Sequence, residues 1–531
     1  MMRALCWMAF ALPAAAIAQQ GFIPLSTTVD APYTALMHGS KVAAHSSIRP
    51  YLREDLVGLG TVDSVTTSTW KPLLTHMTDP SNRWYGGPLV DAMAGLSAGE
   101  DDAFKYRTGL GGWVGWNATS RLTLGADVEG FSELLPNYLD LYARTSGVTA
   151  GEGYAYRSGD AVNHFDWNGY ADYKAGEYFH FTLGKGRNFI GEGYRSLFLG
   201  DETYGYPYLK ITTTAWHLRY VNYFTMMDDI RGAGGDPSDY QKKFSSMHYL
   251  SWNISKRVNA GLFEAIVWQD NDPNYPRGFD LSYVNPVIFY RPVEFGLGSP
   301  DNALLGLAFN VKVGRNTQLY SQLILDEFLL THVRAGDGWY GNKQGIQVGA
   351  VAHDAFRKKG LMLRAEMDYV RPFMYSHNDT RQNFANYGQP LAHPYGSGFL
   401  EGLAQGEWRH GRWVLSDVFS YAVMGRDTTN GPHGSYGNNI FLSENDRAYA
   451  AGETTPMNFG FYLGEPLQEI VIQNEIRAGW LLEPRSGTML ELAWTFRSES
   501  AGDFPSLTTN YIRLGISANL HDSHPFQTVR Y

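Results

Sequence analysis

Residues 104–129 read FKYRTGLGGWVGW, then NATS, then RLTLGADVE, and this stretch decides the fold. In its first part Phe104, Leu110 and Val114 share one face of an extended chain, while Lys105 and Arg107 share the other. Alternation with a period of two predicts a β-strand. NATS predicts a tight turn, and the alternation then resumes. One apolar face and one charged face are what a barrel wall between lipid and a wet lumen requires.

The same alternation recurs along the chain, for example in residues 166–173, 305–313 and 511–520. It predicts an all-β fold, an antiparallel transmembrane outer-membrane β-barrel of about 18 strands over residues 80–531. The first strand near 80–90 and a hairpin within 207–224 carry the weakest alternation. A soluble sandwich or propeller is the alternative, but the sequence has neither a blade repeat nor regular strand spacing.

The connections between these segments alternate between short and long, as the periplasmic turns and extracellular loops of such barrels do. Short turns are predicted near 117–120, 175–178, 255–259, 314–316, 355–360 and 482–486. Long loops are predicted near 132–163, 187–206, 269–302, 371–398 and 425–467.

The N-terminus predicts export. Residues 1–18 have the form of a signal peptide, with Arg3 before an apolar run and an A-x-A site at 16–18. The single cysteine, Cys6, lies in this segment, so the mature chain is expected to hold no disulfide or thiolate metal site. Residues 19–79 show no strand alternation. They are interpreted as a small helical or irregular periplasmic element or plug, with disorder as the alternative.

The composition fits this class of protein. The chain has 34 Tyr, 14 Trp and 58 Gly in 531 residues, with a mean hydropathy of −0.29. After the signal peptide no run of about 18 apolar residues occurs, so no transmembrane helix is expected. The net charge of −10 disfavours nucleic acid as a partner. The expected partners are outer-membrane lipid and the barrel-assembly machinery, and Tyr531 suits the aromatic C-terminus of many barrels, although Pro525 interrupts the approach to it.

Enzyme motifs are absent from the sequence. It has no His-Glu-x-x-His, no P-loop and no nucleophile elbow. We therefore expect no enzyme and no cofactor, although a hydrolase assembled by tertiary proximity stays open as an alternative. Asp270 and Asp272 are weak candidates for calcium ligands, and a turn-forming cluster is the favoured interpretation, so no metal is predicted.

The long loops are rich in tyrosine beside charged side chains, a mixture that carbohydrate binding uses. Aromatic rings cover the apolar faces of sugars while polar groups bond the hydroxyls. The alternative is that these residues plug the barrel mouth and rigidify the loops. The glycan-binding candidates are Arg187, Tyr194, Arg195, Asp201, Tyr204, Tyr206, Tyr208, Tyr290, Arg291, Glu294 and Asp301.

The same loops carry a resemblance to a known family. Residues 181–197, FTLGKGRNFIGEGYRSL, followed by YPYLKI at 206–211, resemble the hallmark of the Wzi capsule-assembly family. FYRPVEF at 289–295, GSPDN at 298–302 and LILDEF at 323–328 resemble its Bacteroidetes branch, which includes proteins called gliding-motility protein RemB. The resemblance covers residues 160–345, and none of the family's sugar-contacting residues is matched to this sequence.

This resemblance implies an 18-stranded barrel with a small helical N-terminal element. It also implies a lectin-like, non-enzymatic role that holds capsular or other surface polysaccharide at the cell exterior, or, in the gliding branch, a surface adhesin. The leading hypothesis is therefore a polysaccharide binder that uses loops 187–208 and 269–302. A diffusion porin with an open lumen is the alternative from another class, and the long loops favour a closed lumen.

Overall fold

The computed structural model describes residues 21–57, 59, 83–99, 103–271, 278–286, 301–427, 433–484, 486–518 and 528–530. Within them, eighteen antiparallel strands form a closed barrel. They are β1 Trp84–Gly99, β2 Ala103–Asn117, β3 Leu122–Leu134, β4 Ala161–Ala175, β5 Phe179–Gly186, β6 Tyr206–Ala215, β7 Leu218–Asp229, β8 Gln241–Asn253, β9 Val258–Gln269, β10 Asn302–Val313, β11 Thr317–Leu325, β12 Gln344–His353, β13 Leu361–Val370, β14 Phe399–His410, β15 Trp413–Arg426, β16 Leu467–Glu483, β17 Thr488–Ala501 and β18 Leu507–Ala518.

Each strand pairs with the next along the chain, and β1 pairs with β18, with Ala92 opposite Ile516, which closes the wall. The fold class and the strand number are therefore confirmed. The two weakest strand predictions also hold, since 207–224 contains the β6–β7 hairpin and the first strand begins at Trp84. Full closure leaves no unpaired edge among the described wall strands. The last of them ends at Ala518, and Tyr531 lies outside the described residues.

The wall has the two faces that the sequence indicates. On β2, Leu110 is 72% exposed and Phe104 and Val114 also face outward, whereas Lys105 is buried inside. Exposed aromatic side chains lie near both rims of the barrel: Trp84, Trp216 and Trp413 near one, and Phe104, Phe165 and Phe504 near the other. An apolar band between two aromatic girdles is the surface that a bilayer covers.

The two ends of the barrel differ in their connections. We call one the turn end, where the connections are 118–121, 176–178, 216–217, 254–257, 314–316, 354–360, 411–412 and 484–487. We call the other the loop end, with the longer connections 135–160, 187–205, 230–240, 270–301, 326–343, 371–398 and 427–466. Two connections at the loop end, 100–102 and 502–506, are short.

Residues 21–57 lie inside the lumen at the turn end. This N-terminal segment contains α1 (Thr27–Met37) and α2 (Arg53–Val57). Lys312 on β10 donates to the carbonyl of Met37 at 2.5 Å, and Arg409 on β14 donates to that of Thr28 at 2.6 Å. Arg219 on β7 pairs with Asp55 at 2.5 Å. In this part the segment fills the turn end of the lumen. The predicted signal peptide and residues 60–82 lie outside the described residues.

None of the described helices is long and apolar enough to cross a membrane. Besides α1 and α2 the described α-helices are α3 (Asn137–Ser146) and α4 (Leu330–Ala335), both in loop-end connections. α3 ends at Gly147, whose φ of 79° places it in the left-handed region that a helix C-terminus commonly uses.

Much of the lumen is filled by an apolar core, where the sequence predicts a wet interior. Connections 187–205 and 371–398 fold inward, and their apolar side chains pack against inward-facing residues of β6–β11 and β13–β16. Phe198 stacks on Phe263 of β9 with the ring centroids 4.9 Å apart. The period-two pattern identifies which residues face inward, but it does not show that loops return to cover them.

Candidate functional site

Connection 187–205 folds into the lumen and contacts both the N-terminal segment and the barrel wall. Phe189–Ile190 pairs with Ile48–Arg49 of the N-terminal segment in a small antiparallel sheet. Glu192 then accepts hydrogen bonds from Ser46 at 2.7 Å, His38 at 3.0 Å and Asn310 at 3.1 Å. The connection therefore ties the plug to the barrel wall.

The next residues bind a buried carboxylate. Glu366 on β13 accepts from the backbone N–H groups of Tyr194 and Arg195, each at 2.9 Å. A Cβ at Gly193 would lie 2.4 Å from the Glu366 carboxylate, so this approach requires glycine. The Arg195 guanidinium donates to Glu202, to Glu401 at 3.4 Å and to Thr528 at 2.5 Å.

Most of the predicted glycan contacts are therefore buried in this structure. Each of the following is less than a tenth exposed: Tyr194, Arg195, Asp201, Tyr206, Tyr208 and Asp301. Asp301 accepts from Tyr283 at 2.6 Å and from Gln382 at 3.3 Å. Their contact with glycan stays a prediction, whereas the plugging and rigidifying interpretation agrees with these contacts.

The other predicted residues fall into two groups. Arg187 and Tyr204 are half-buried beside β4, and Arg187 pairs with Asp166 at 2.8 Å. Tyr290, Arg291 and Glu294 lie outside the described residues, as does the weak metal candidate Asp272. The carbonyl of Asp270 accepts from the backbone N–H of Gly278 at 2.9 Å. The turn-forming interpretation of this cluster stays a prediction, since residues 272–277 lie outside the described residues.

A cavity of about 180 Å³ lies in the part of the lumen that the apolar core leaves open. Inward-facing residues of β1–β4 and β16–β18 line it, together with parts of connections 135–160, 187–205 and 371–398 and with Thr528 and Val529 near the C-terminus. We call it the acidic cavity. Its carboxylates from β1, β3 and β4 are Asp91, Asp127, Glu129, Glu133 and Asp166; those from elsewhere are Glu152, Glu202, Glu475 and Glu491.

A charged network forms one wall of the acidic cavity. Arg107 on β2 donates to Glu133 at 3.1 Å and to Glu152 at 2.8 Å. His164 on β4 approaches the same two carboxylates, at 2.5 Å and 3.1 Å. Strands β2, β3 and β4 each supply one of these side chains, and connection 135–160 supplies the fourth, Glu152.

Aromatic side chains accompany these charges. Phe131 and Tyr511 face the acidic cavity from β3 and β18, and Tyr138 and Tyr142 face it from α3. Phe131 stacks on His164 with the ring centroids 4.8 Å apart. Rings beside carboxylates are the combination that suits a sugar, since the rings cover carbon and the carboxylates accept from hydroxyls.

A second cluster, Asp368, His393 and Glu401, is fully buried beneath the loop end. His393 lies 2.8 Å from Glu401, and burial lowers the pKa of His393 to about 4. Both this cluster and that of Glu133, Glu152 and His164 have ligand atoms close enough for a metal ion. Each nevertheless contains a guanidinium bound to its carboxylates, from Arg195 or Arg107, which fits an ion-pair network better than a cation site.

The acidic cavity was only partly visible in the sequence. The alternation places Asp127, Glu129 and Asp166 on the lumen face, but it does not show which strands are neighbours or where the loops leave space. Glu152, Glu475 and Glu491 come from distant parts of the chain, so no local motif brings them together. To place these carboxylates in one cavity from the sequence, the register of the paired strands would have been needed.

No family model and no curated protein sequence matches the chain. Among solved structures it is similar to Wzi, an outer membrane protein involved in group 1 capsule assembly in Escherichia coli and described as a carbohydrate-binding β-barrel. The identity is 12% and the TM-score 0.54, over 94% of this chain and 99% of that one. This similarity establishes the fold alone.

Two further similar structures come from other bacteria. OprD of Pseudomonas aeruginosa is 10% identical with a TM-score of 0.42, over 82% of this chain and 94% of that one. OccAB4 of Acinetobacter baumannii is 6% identical with a TM-score of 0.43, over 82% and 99%. The resemblance to the Wzi family is supported by the first comparison at the level of fold, and that to its gliding-motility branch stays a prediction.

Proposed function

We propose that this chain is an outer-membrane protein that binds surface polysaccharide at its loop end, without catalysis. The observation that carries the proposal is the partly filled lumen. Inward-folded connections and the N-terminal segment occupy most of it and leave the acidic cavity, which is lined by rings and carboxylates. A wide diffusion channel has no use for such a core, whereas a binding site needs the rigid support that the core provides.

The barrel surface and the similarity to Wzi support the same proposal. The apolar outer wall with aromatic girdles suits outer-membrane lipid. Export by residues 1–18 and insertion by the barrel-assembly machinery belong to the proposal, and would leave the turn end in the periplasm and the loop end at the exterior. The similar E. coli protein is described as carbohydrate-binding.

Binding in the acidic cavity would rest on two kinds of contact. Phe131 and Tyr511 would lie against the apolar face of a sugar ring, and the nearby carboxylates would accept from its hydroxyls. Because these side chains stand on paired strands, little conformational entropy would be lost when the sugar binds.

The test is binding of polysaccharide extracted from the host's surface to the detergent-folded protein, measured by calorimetry. We expect saturable binding, and we expect it to weaken about tenfold in Phe131→Ala and in Tyr511→Ala. Each variant removes an aromatic ring whose contact with the sugar contributes ~1–1.5 kcal/mol. Tyr178→Ala is the matched control, since Tyr178 is exposed at the turn end. No binding by a folded barrel, or equal binding by all three variants, would refute the proposal.

A second candidate function, a narrow channel, is favoured by one observation. A smaller cavity beside residues 22–25 of the N-terminal segment shares Asp127, Asn168 and Arg187 with the acidic cavity. The lumen beside β3–β5 is therefore less densely filled than the rest. Steady conductance of the unaltered protein in planar bilayers would favour this candidate. The adhesin role stays a prediction.

A further inference from the structure

The guanidinium groups that line the acidic cavity are already engaged. Arg107 binds Glu133 and Glu152, Arg187 binds Asp166, and Arg513 binds Glu475 at 2.9 Å. An anionic sugar would have to break one of these pairs to bind a lining guanidinium. It would also meet nine lining carboxylates, and like charges brought together are repelled.

Three of those carboxylates form a row across strands β1–β4, which we call the carboxylate row: Asp91 on β1, Glu129 on β3 and Asp166 on β4. Glu129 is the register partner of Asp166. Asp91 and Glu129 share one proton in a side-chain hydrogen bond across β2. They can meet because β2 has glycines there: a Cβ at Gly111 would lie 2.9 Å from that of Glu129, and one at Gly109 3.1 Å from that of Asp91.

Two oxygens of the carboxylate row accept no hydrogen bond, although both are shielded from water: Oε1 of Glu129 and Oδ1 of Asp166. Asp166 is only 7% exposed. The cation that faces its Oδ1 is Lys185, at 3.9 Å, and the ammonium of Lys185 donates instead to the carbonyl of Trp167 at 2.8 Å. A buried carboxylate oxygen without a donor favours a ligand that supplies one.

We propose that the acidic cavity selects a glycan that carries free amines, with a sugar ammonium bound at the carboxylate row. This inference rests on the proposed function. An ammonium group has three donors and one positive charge. It can therefore replace the proton that Asp91 and Glu129 share, donate to Glu129 and Asp166 together, and relieve the repulsion among the surrounding carboxylates. The hydroxyl of a neutral sugar supplies a donor without the charge.

The experiment compares three tetrasaccharides on the detergent-folded full-length protein: a glucosamine oligomer, its fully N-acetylated form and an oligogalacturonate. We expect the glucosamine oligomer to bind about tenfold or more tightly than the acetylated one, and the galacturonate not to bind. The preference should weaken with salt and vanish above the pH at which the amines lose their protons.

The variants Glu129→Gln and Asp166→Asn keep the shape of each side chain. In each, the ratio of the affinity for the glucosamine oligomer to that for the acetylated oligomer should fall close to one. Glu177→Gln, which changes an exposed carboxylate at the turn end, is the matched control and should keep the preference. The gel shift of the folded barrel on heating shows that each variant has folded.

The outcomes separate this inference from the proposed function. Equal or tighter binding of the acetylated or acidic oligomer would overturn the inference and leave polysaccharide binding in place. Spermine that competes as well as the glucosamine oligomer would overturn it as well, because the site would then recognise charge without a sugar. Failure of all three oligomers and of host polysaccharide would refute both.

Discussion

Arg195 shows that connection 187–205 packs inside the barrel. Its guanidinium is buried and contacts Glu401, Glu202 and Thr528, which belong to three different parts of the chain. Aromatic and charged residues in a loop give the same sequence pattern whether they face a ligand or pack inward. Only the burial distinguishes the two, and burial depends on the path of the loop.

Replacing Arg195 by alanine is expected to destabilise the folded protein by about 3–5 kcal/mol, because buried carboxylates lose their cation. The measurement is the temperature at which the detergent-folded barrel loses its compact gel mobility. Arg144→Ala is the control: Arg144 pairs with Asp140 on the half-exposed surface of α3, and its loss should cost about 0.3–0.5 kcal/mol. Similar shifts for both variants would contradict the bracing role.

His393 predicts a dependence of stability on pH. Burial lowers its folded-state pKa from 6.5 to about 4, so the unfolded chain binds a proton at a higher pH than the folded one. Stability should therefore rise with pH between about 4 and 6.5, by up to about 1.4 kcal/mol per unit from this group. Burial also lowers the pKa of His45, to about 3, which acts in the same direction.

The check is a series of melting temperatures from pH 4 to 8. His393→Asn should reduce the slope below pH 6.5 without abolishing it, because His45 remains. Arg144→Ala, which leaves both histidines intact, should keep the slope of the unaltered protein. An unchanged slope in His393→Asn would show that the protonation of this histidine is not linked to folding.

Strands were more predictable from the sequence than connections. On β2 the alternation of Phe104, Lys105 and Arg107 distinguishes lipid face from lumen because the two environments demand opposite chemistry. Closure depends on the pairing of β1 with β18, from opposite ends of the barrel sequence, and a period of two encodes neither this pairing nor the register of the hairpins. The inward path of 187–205 depends on buried partners such as Glu366, which is far along the chain from this connection, and no local signal in the sequence indicates it.

We expect the hydrogen bonds that Glu192 accepts to hold the N-terminal segment in place. Glu192→Ala removes the acceptor for Ser46, His38 and Asn310, and leaves buried donors without a partner. Hydrogen exchange at residues 21–57 should become about tenfold faster or more, while the strands keep their protection. Glu177→Ala is the matched control, and unchanged exchange in Glu192→Ala would show that other contacts hold the segment.

At the scale of the whole molecule, the described C-terminal residues lie far from the end of the last strand. β18 ends at Ala518 at the turn end, yet Val529 packs against α3 at the loop end. Arg530 donates to the carbonyls of Tyr395 and Ser397, at 3.0 Å and 2.5 Å. These bonds fix the C-terminal residues to connection 371–398.

The same residues hold the loop end from inside the lumen. Arg497 on β17 donates to the carbonyl of Val529 at 3.3 Å, and Thr528 accepts a hydrogen bond from the guanidinium of Arg195. The N-terminal segment occupies the lumen at the turn end. Residues from both ends of the chain therefore help to fill the barrel.

This occupation predicts a barrel that conducts poorly until the plug is removed. In planar bilayers the unaltered protein should show no steady conductance, because the N-terminal segment fills the turn end and the apolar core fills most of the lumen above it. Deleting residues 21–57 should produce discrete conductance steps. The smaller cavity beside residues 22–25 would then open toward the turn end and continue into the acidic cavity.

Two point variants distinguish loss of the plug from general damage to the barrel. Glu192→Ala keeps the N-terminal segment but removes the hydrogen bonds between it and Glu192, so this variant should show only brief channel openings. Glu177→Ala should behave as the unaltered protein. If the unaltered barrel conducts as well as the deletion variant, the segment does not close the lumen. The channel function would then replace polysaccharide binding as the better account of the cavity, because a continuous open path needs no bound sugar to explain its polar lining.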